Sequence, residues 1–144
     1  MWDDTLLAIE RAHVMRLLVW GALALTTGAA VLAMLRVRRA RPQLLRHFAA
    51  QNAVWGAIEI LLGILMLRTV APRDLARATR LVQTLWLEVG LTSGALVIGL
   101  TLAFVGWHTG RREGMVGAGL AVALHGAALL VLHLRTLQTI SGWM

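Results

Sequence analysis

Five polar side chains in this sequence stand where their neighbours are apolar: Asn52, Glu59, Glu88, His125 and His133. An ionisable group in such a setting is costly unless it faces an interior partner, so these are the residues that would carry chemistry. Asn52 and Glu59 are seven apart and share one helix face with Gly56 and Gly63. Glu88 has Gln83, Thr84 and Thr92 nearby. Two carboxylates and an imidazole in one apolar layer can share protons, one glutamate staying neutral through desolvation and like charge. They can relay protons or conduct an ion. They can ligate a metal such as zinc or iron. The plainer alternative is that each group hydrogen-bonds a neighbouring helix and sets its register.

Their relative depth has two solutions. At about 1.5 Å per residue, Glu59 lies roughly 13 Å before Arg68, Glu88 roughly 12 Å past Arg80 and His125 roughly 15 Å before Arg135. Measured that way, the three share a layer. Mirroring residues about the turns instead sets Glu88 level with Asn52 and His133, with Glu59 higher.

Other residues offer alternatives. His13 and His133 fall near one interface, and His47 and His108 near the other. Two facing imidazoles could take a non-covalent haem. Glu10 and His13 form a single E-x-x-H, whereas di-iron bundles use two such motifs plus two further glutamates. Arg73, Arg77 and Arg80 form a basic stripe suited to lipid headgroups or an acidic partner. Trp2, Trp20, Trp107 and Trp143 suit interfacial belts, while Trp55 and Trp86 lie deeper, for packing or a bound ligand. No G-x-S-x-G, P-loop or H-E-x-x-H occurs. Asp3, Asp4 and Asp74, the only aspartates, fall outside the apolar stretches, which argues against an intramembrane aspartyl protease.

These residues must be positioned by membrane helices. The chain has 144 residues, 58% of them hydrophobic, above the usual share for a soluble domain. It has no cysteine, which excludes disulfides, Cys-ligated zinc, Fe–S clusters and Cys nucleophiles. Its 14 basic residues are all arginine, and the net charge is +7. In a soluble protein that balance would suggest nucleic acid. Here the arginines bound four apolar runs of membrane-spanning length, at about 15–35, 48–67, 81–105 and 115–134, so they read as interfacial anchors and nucleic acid is not an expected partner. An isolated strand cannot satisfy its backbone in lipid, and nothing alternates with period two, so all four are helices. Short links make successive helices antiparallel. The expected fold is all-α: one domain over 1–144, a four-span transmembrane up-down-up-down bundle with both termini on one side.

The N-terminus, Met1-Trp2-Asp3-Asp4, is acidic where a cleavable signal is basic, so the first span is expected to be retained, with Asp3 or Asp4 capping its helix. Arginines count seven on each side of the membrane: Arg36, Arg38, Arg39, Arg41, Arg46, Arg111 and Arg112 against Arg11, Arg16, Arg68, Arg73, Arg77, Arg80 and Arg135. The density of the first group and the acidic N-terminus favour both termini outside the cytoplasm. Close helix packing is expected at Gly90-xxx-Gly94, Ala95-xxx-Gly99-xxx-Ala103, Gly119-xxx-Ala123-xxx-Ala127 and Ala22-xxx-Thr26-xxx-Ala30.

The run Leu87-Glu-Val-Gly-Leu-Thr-Ser-Gly-Ala-Leu-Val-Ile-Gly-Leu-Thr-Leu102, with Gly117-Ala-Gly-Leu-Ala-Val-Ala-Leu-His-Gly-Ala-Ala-Leu-Leu130, resembles uncharacterised bacterial four-helix membrane proteins of the domain-of-unknown-function kind. The resemblance covers about a third of the chain and rests on Gly and Leu spacing. It implies a four-helix membrane fold and no particular activity. Such proteins carry Asn, Asp or Gln where this chain has Glu88, Thr92, His125 and His133, so the residues here depart from the pattern. The functional expectation is an accessory or assembly subunit of a larger complex in a bacterial inner membrane, with lipid and other membrane subunits or a second copy as partners. The alternative is a bundle that handles a small ligand, a proton, an ion, a metal or haem through its intramembrane Glu and His residues.

Overall fold

The computed structural model describes residues 2–39, 42–71 and 75–142, without the side chains of residues 2, 3 and 75. Four helices follow one another: α1 (Trp2–Val37), α2 (Gln43–Leu67), α3 (Leu75–His108) and α4 (Glu113–Ser141). All four are long and apolar enough to cross a membrane. The described residues contain no strand. The first helix begins at Trp2, so Asp4 sits in its first turn rather than capping it. Pro42, with φ −68°, precedes α2, where its missing N–H costs nothing. Between α3 and α4 the chain reverses through two left-handed residues, Gly110 at φ 75° and Arg111 at φ 51°. The Arg112 N–H closes that turn on the Gly106 carbonyl at 2.8 Å. Pro72 and Arg73 lie outside the described residues.

The helices form two tight antiparallel pairs, α1 with α2 and α3 with α4. Glycines make both pairs close. A Cβ on Gly56 would meet the Leu25 nitrogen and lie 2.6 Å from the Gly21 carbonyl oxygen. A Cβ on Gly119 would lie 2.5 Å from the Ala103 nitrogen and 2.6 Å from the Gly99 oxygen. In lipid, where no hydrophobic drive joins helices, such backbone approach supplies the packing. Of the expected stripes, Gly99 and Ala103 of α3 meet Gly119 and Ala123 of α4 here, whereas Gly90 and Gly94 of α3, also expected to pack closely, have nothing among the described residues within 4 Å of where a Cβ would stand. On α1 the packing stripe is Gly21, Ala24 and Gly28, one to two residues before the expected one, and Ala22, Thr26 and Ala30 are exposed.

The two pairs are joined by α4, which packs on α2 and, less extensively, on α1; α3 approaches neither α1 nor α2 at backbone distance. Gly117 against Leu44 seats α4 on α2, the two running parallel. With α1 antiparallel to α2, this gives the up-down-up-down order. The outside is apolar: Val19, Leu61, Leu91, Val97, Phe104 and Val131 are each more than half exposed. The inside is more polar than usual. The largest fully buried side chains are Leu85, His13, Glu59, Val14 and Thr136, three of them able to hydrogen-bond. That inversion suits a lipid environment, where the polar groups are the ones that need a protein interior.

Length differences create a second feature. The 36 residues of α1 reach roughly 54 Å, against about 37 Å for the 25 of α2. Past the end of α2, Leu6 of α1 packs with Ala78 and Leu85 of α3 and Leu137 and Ile140 of α4.

Candidate functional site

Midway along α2 and α4, three polar side chains meet in an otherwise apolar layer. His125 Nδ1 lies 2.7 Å from Glu59 Oε1. His125 Nε2 lies 2.9 Å from Asn52 Oδ1. Asn52 Nδ2 donates to the Ala24 carbonyl at 3.2 Å, which ties the group to α1. Glu59 is 1% exposed, His125 2% and Asn52 5%. The seven-residue spacing of Asn52 and Glu59 places them above and below one imidazole, and Gly56 between them lets α1 approach. Trp20 meets the imidazole edge-on at 5.7 Å and Trp55 stacks on it at 6.2 Å.

Hydrogen-bond accounting restricts the protons. The Ala24 carbonyl takes the Asn52 amide N–H, so Asn52 Oδ1 faces His125 as an acceptor, and Nε2 must carry a proton. Nδ1 faces a carboxyl group. Either Nδ1 donates to a carboxylate, or it accepts from a carboxylic acid. Both forms hold two protons on the Glu59–His125 pair, and both are neutral overall. A proton can therefore shift between the two residues without moving net charge into the apolar layer. Glu59 Oε2 is buried and has no hydrogen-bond partner among the described residues.

Residues 16–134 match DUF6992, described as a family of unknown function. The chain belongs to this family. No curated protein and no solved structure matches it. All of Asn52, Glu59 and His125 lie within the segment matching DUF6992, as do Glu88 and His133; His13 and Thr136 fall outside it.

The five polar residues singled out in the apolar stretches of this DUF6992 chain occupy two places, not one layer. His133 is eight residues beyond His125 on α4, roughly 12 Å towards the termini. There its Nε2 lies 3.3 Å from Glu88 Oε2, beside His13. The arginine markers set Glu59 level with His125 correctly and Glu88 wrongly, because α3 runs on past the end of α2. Mirroring about the turns set Glu88 level with His133 correctly and level with Asn52 wrongly.

His13 and His133 face each other, with ring centroids 5.2 Å apart, but the cavity beside His13 and Glu88 has a volume of about 30 Å³ and leaves no room for a porphyrin. At the opposite end, His47 lies against Gly114, and His108 stacks on Phe104 of its own helix. Arg77 and Arg80 are exposed, and Arg73 lies outside the described residues. Trp20, expected at an interface, belongs to the His125 layer. Trp86, expected to pack inside, is 58% exposed. Sequence reasoning missed the role of Trp20 and the Ala24 carbonyl. The missed signal was the register of α1, set by Gly21 and Gly28.

Proposed function

We propose that this chain is a multi-pass protein of a bacterial inner membrane that handles protons inside its bundle. Glu59 and His125 are the pair between which the proton passes, and Asn52 orients the imidazole. The supporting observation is the buried pair whose two proton arrangements are both neutral, with Glu59 Oε2 still open as an acceptor. Neutrality matters because a net charge at that depth would carry a large desolvation cost. Arg77 and Arg80, exposed near the start of α3, are suited to lipid phosphates.

The test is a proton-flux assay in liposomes loaded with a pH-sensitive dye, under an imposed potential. Liposomes holding the native protein should acidify faster than empty ones. Glu59→Gln should reduce flux by about 100-fold or more, the lower end of what a positioned proton-transfer group contributes, with helical content unchanged. Equal flux in native and empty liposomes would remove the proposal.

A second reading has its own observation. Gly90 and Gly94 have nothing within 4 Å of where a Cβ would stand. No described residue packs against the Cβ positions of this small-residue stretch of α3, which suits a helix of another subunit or copy. Under this accessory-subunit reading, Gly90→Leu with Gly94→Leu should abolish higher-mass species in a native mass spectrum while leaving the single chain folded. An unchanged spectrum would dismiss it.

A further inference from the structure

We infer that His13, Glu88 and His133 form a binding site for one divalent first-row transition-metal ion, independently of the proton pair at Glu59. One ligand-capable atom from each residue lies within 4.8 Å of the other two. The closest approach, His133 Nε2 to Glu88 Oε2, is 3.3 Å. That is about the edge of a tetrahedron whose arms are 2.0–2.1 Å, the length of zinc bonds to imidazole and carboxylate. It is not a finished hydrogen bond: Glu88 Oε2, His133 Nδ1 and His13 Nε2 are all buried and lack a hydrogen-bond partner among the described residues. Two of these atoms, Glu88 Oε2 and His13 Nε2, belong to residues that line one small cavity, and buried polar atoms nearly always find partners.

The tautomer of His13 supports a ligand role. The Thr136 hydroxyl donates to the Leu132 carbonyl at 2.9 Å. Its remaining capacity towards His13 Nδ1, at 2.8 Å, is therefore as an acceptor. In that arrangement Nδ1 carries the proton, and neutral His13 presents a bare lone pair at Nε2. An imidazole whose second nitrogen is held by a hydrogen bond is the usual arrangement of a metal-binding histidine.

The surroundings fit an ion. His13 and Glu88, with Glu10, Thr84, Thr136 and the apolar Met66 and Leu85, line a cavity of about 30 Å³, and His133 stands beside it against Glu88. The volume accepts an ion with a water, or water alone. Glu88 is 29% exposed at its edge, the side from which an ion would enter. Two imidazoles and a carboxylate favour zinc or ferrous iron over magnesium or calcium, which take oxygen ligands. Since α3 does not approach α1 at backbone distance, a bound ion would tie those two helices directly.

The experiment titrates detergent-solubilised, chelator-stripped protein with Zn²⁺ against a chromophoric chelator. The native chain should bind one ion. Glu88→Gln and His133→Gln should each weaken binding by more than about 100-fold, beyond the 10–100-fold expected of an outer partner, which is the expectation for Thr136→Val. His108→Gln, away from the cluster, should leave affinity unchanged. Zinc-edge X-ray absorption of the loaded native protein needs no variant and should show imidazole scattering. Equal affinity in native, Glu88→Gln and His133→Gln proteins, or loaded zinc without imidazole scattering, would overturn the site and leave a cavity for water.

Discussion

Replacing His125 with leucine should destabilise the bundle by about 3–5 kcal/mol, the usual cost of removing one member of a buried pair. Leucine removes both bonds that the imidazole makes, at 2.7 Å to Glu59 and 2.9 Å to Asn52. Glu59, 1% exposed, is then left with no partner on either oxygen that the described residues supply. Protonating the carboxyl relieves the charge and leaves two unsatisfied polar groups, Glu59 and the Asn52 carbonyl. The double variant Glu59→Leu with His125→Leu should recover most of the loss, because apolar replacement of a whole buried pair is often neutral or stabilising. The remaining deficit is the unpaired Asn52 oxygen, about 1–3 kcal/mol. Unfolding in mixed micelles, followed by circular dichroism, would measure all three proteins. A His125→Leu variant as stable as the native chain would mean that the pair contributes nothing to holding α2 on α4. A double variant no better than the single one would place the loss in packing around Trp20 and Trp55.

The fold was legible in the sequence because lipid imposes one-dimensional rules. A run of apolar residues between arginines must be a helix, whatever it packs against, and short links order the helices. Register has no such rule. Glu88 illustrates why: its depth depends on how far α3 extends past α2, and no residue between Leu67 and Arg80 encodes that distance by its type. Glu59 and Asn52 were recognisable as a pair from their spacing on α2. Their partner His125 was recognisable as a candidate, and its meeting with both needed the parallel contact of α2 with α4. His13 and Glu10 stood out only as a single E-x-x-H. Their companions come from α3 and α4, more than seventy residues away in sequence.

Gly56→Leu should cost about 3 kcal/mol, at the upper end of overpacking penalties, and should also dismantle the candidate proton site. The same substitution at Gly90 should be neutral or stabilise by up to about 1 kcal/mol, since leucine is the better helix former. The two sites separate propensity from packing. At Gly90 the new side chain enters open space. At Gly56 the added carbon would stand 2.6 Å from the Gly21 oxygen and 3.0 Å from the Ala24 Cβ, besides meeting the Leu25 nitrogen. Backbone cannot swing aside as a side chain can, so α1 must move away from α2. The propensity gain, about 1 kcal/mol at most, does not offset that movement. Separation of α1 would stretch the 3.2 Å bond from Asn52 Nδ2 to the Ala24 carbonyl. Asn52 would then be free to turn its amide towards His125, offering a donor where the imidazole now donates. Gly56→Leu should therefore lose proton flux together with stability, whereas Gly90→Leu should keep both. Unfolding in mixed micelles and the liposome assay would be run on the same preparations. Equal stability of the two variants would contradict the close approach of α1 and α2. A destabilised Gly56→Leu with native flux would show that Asn52 does not orient His125.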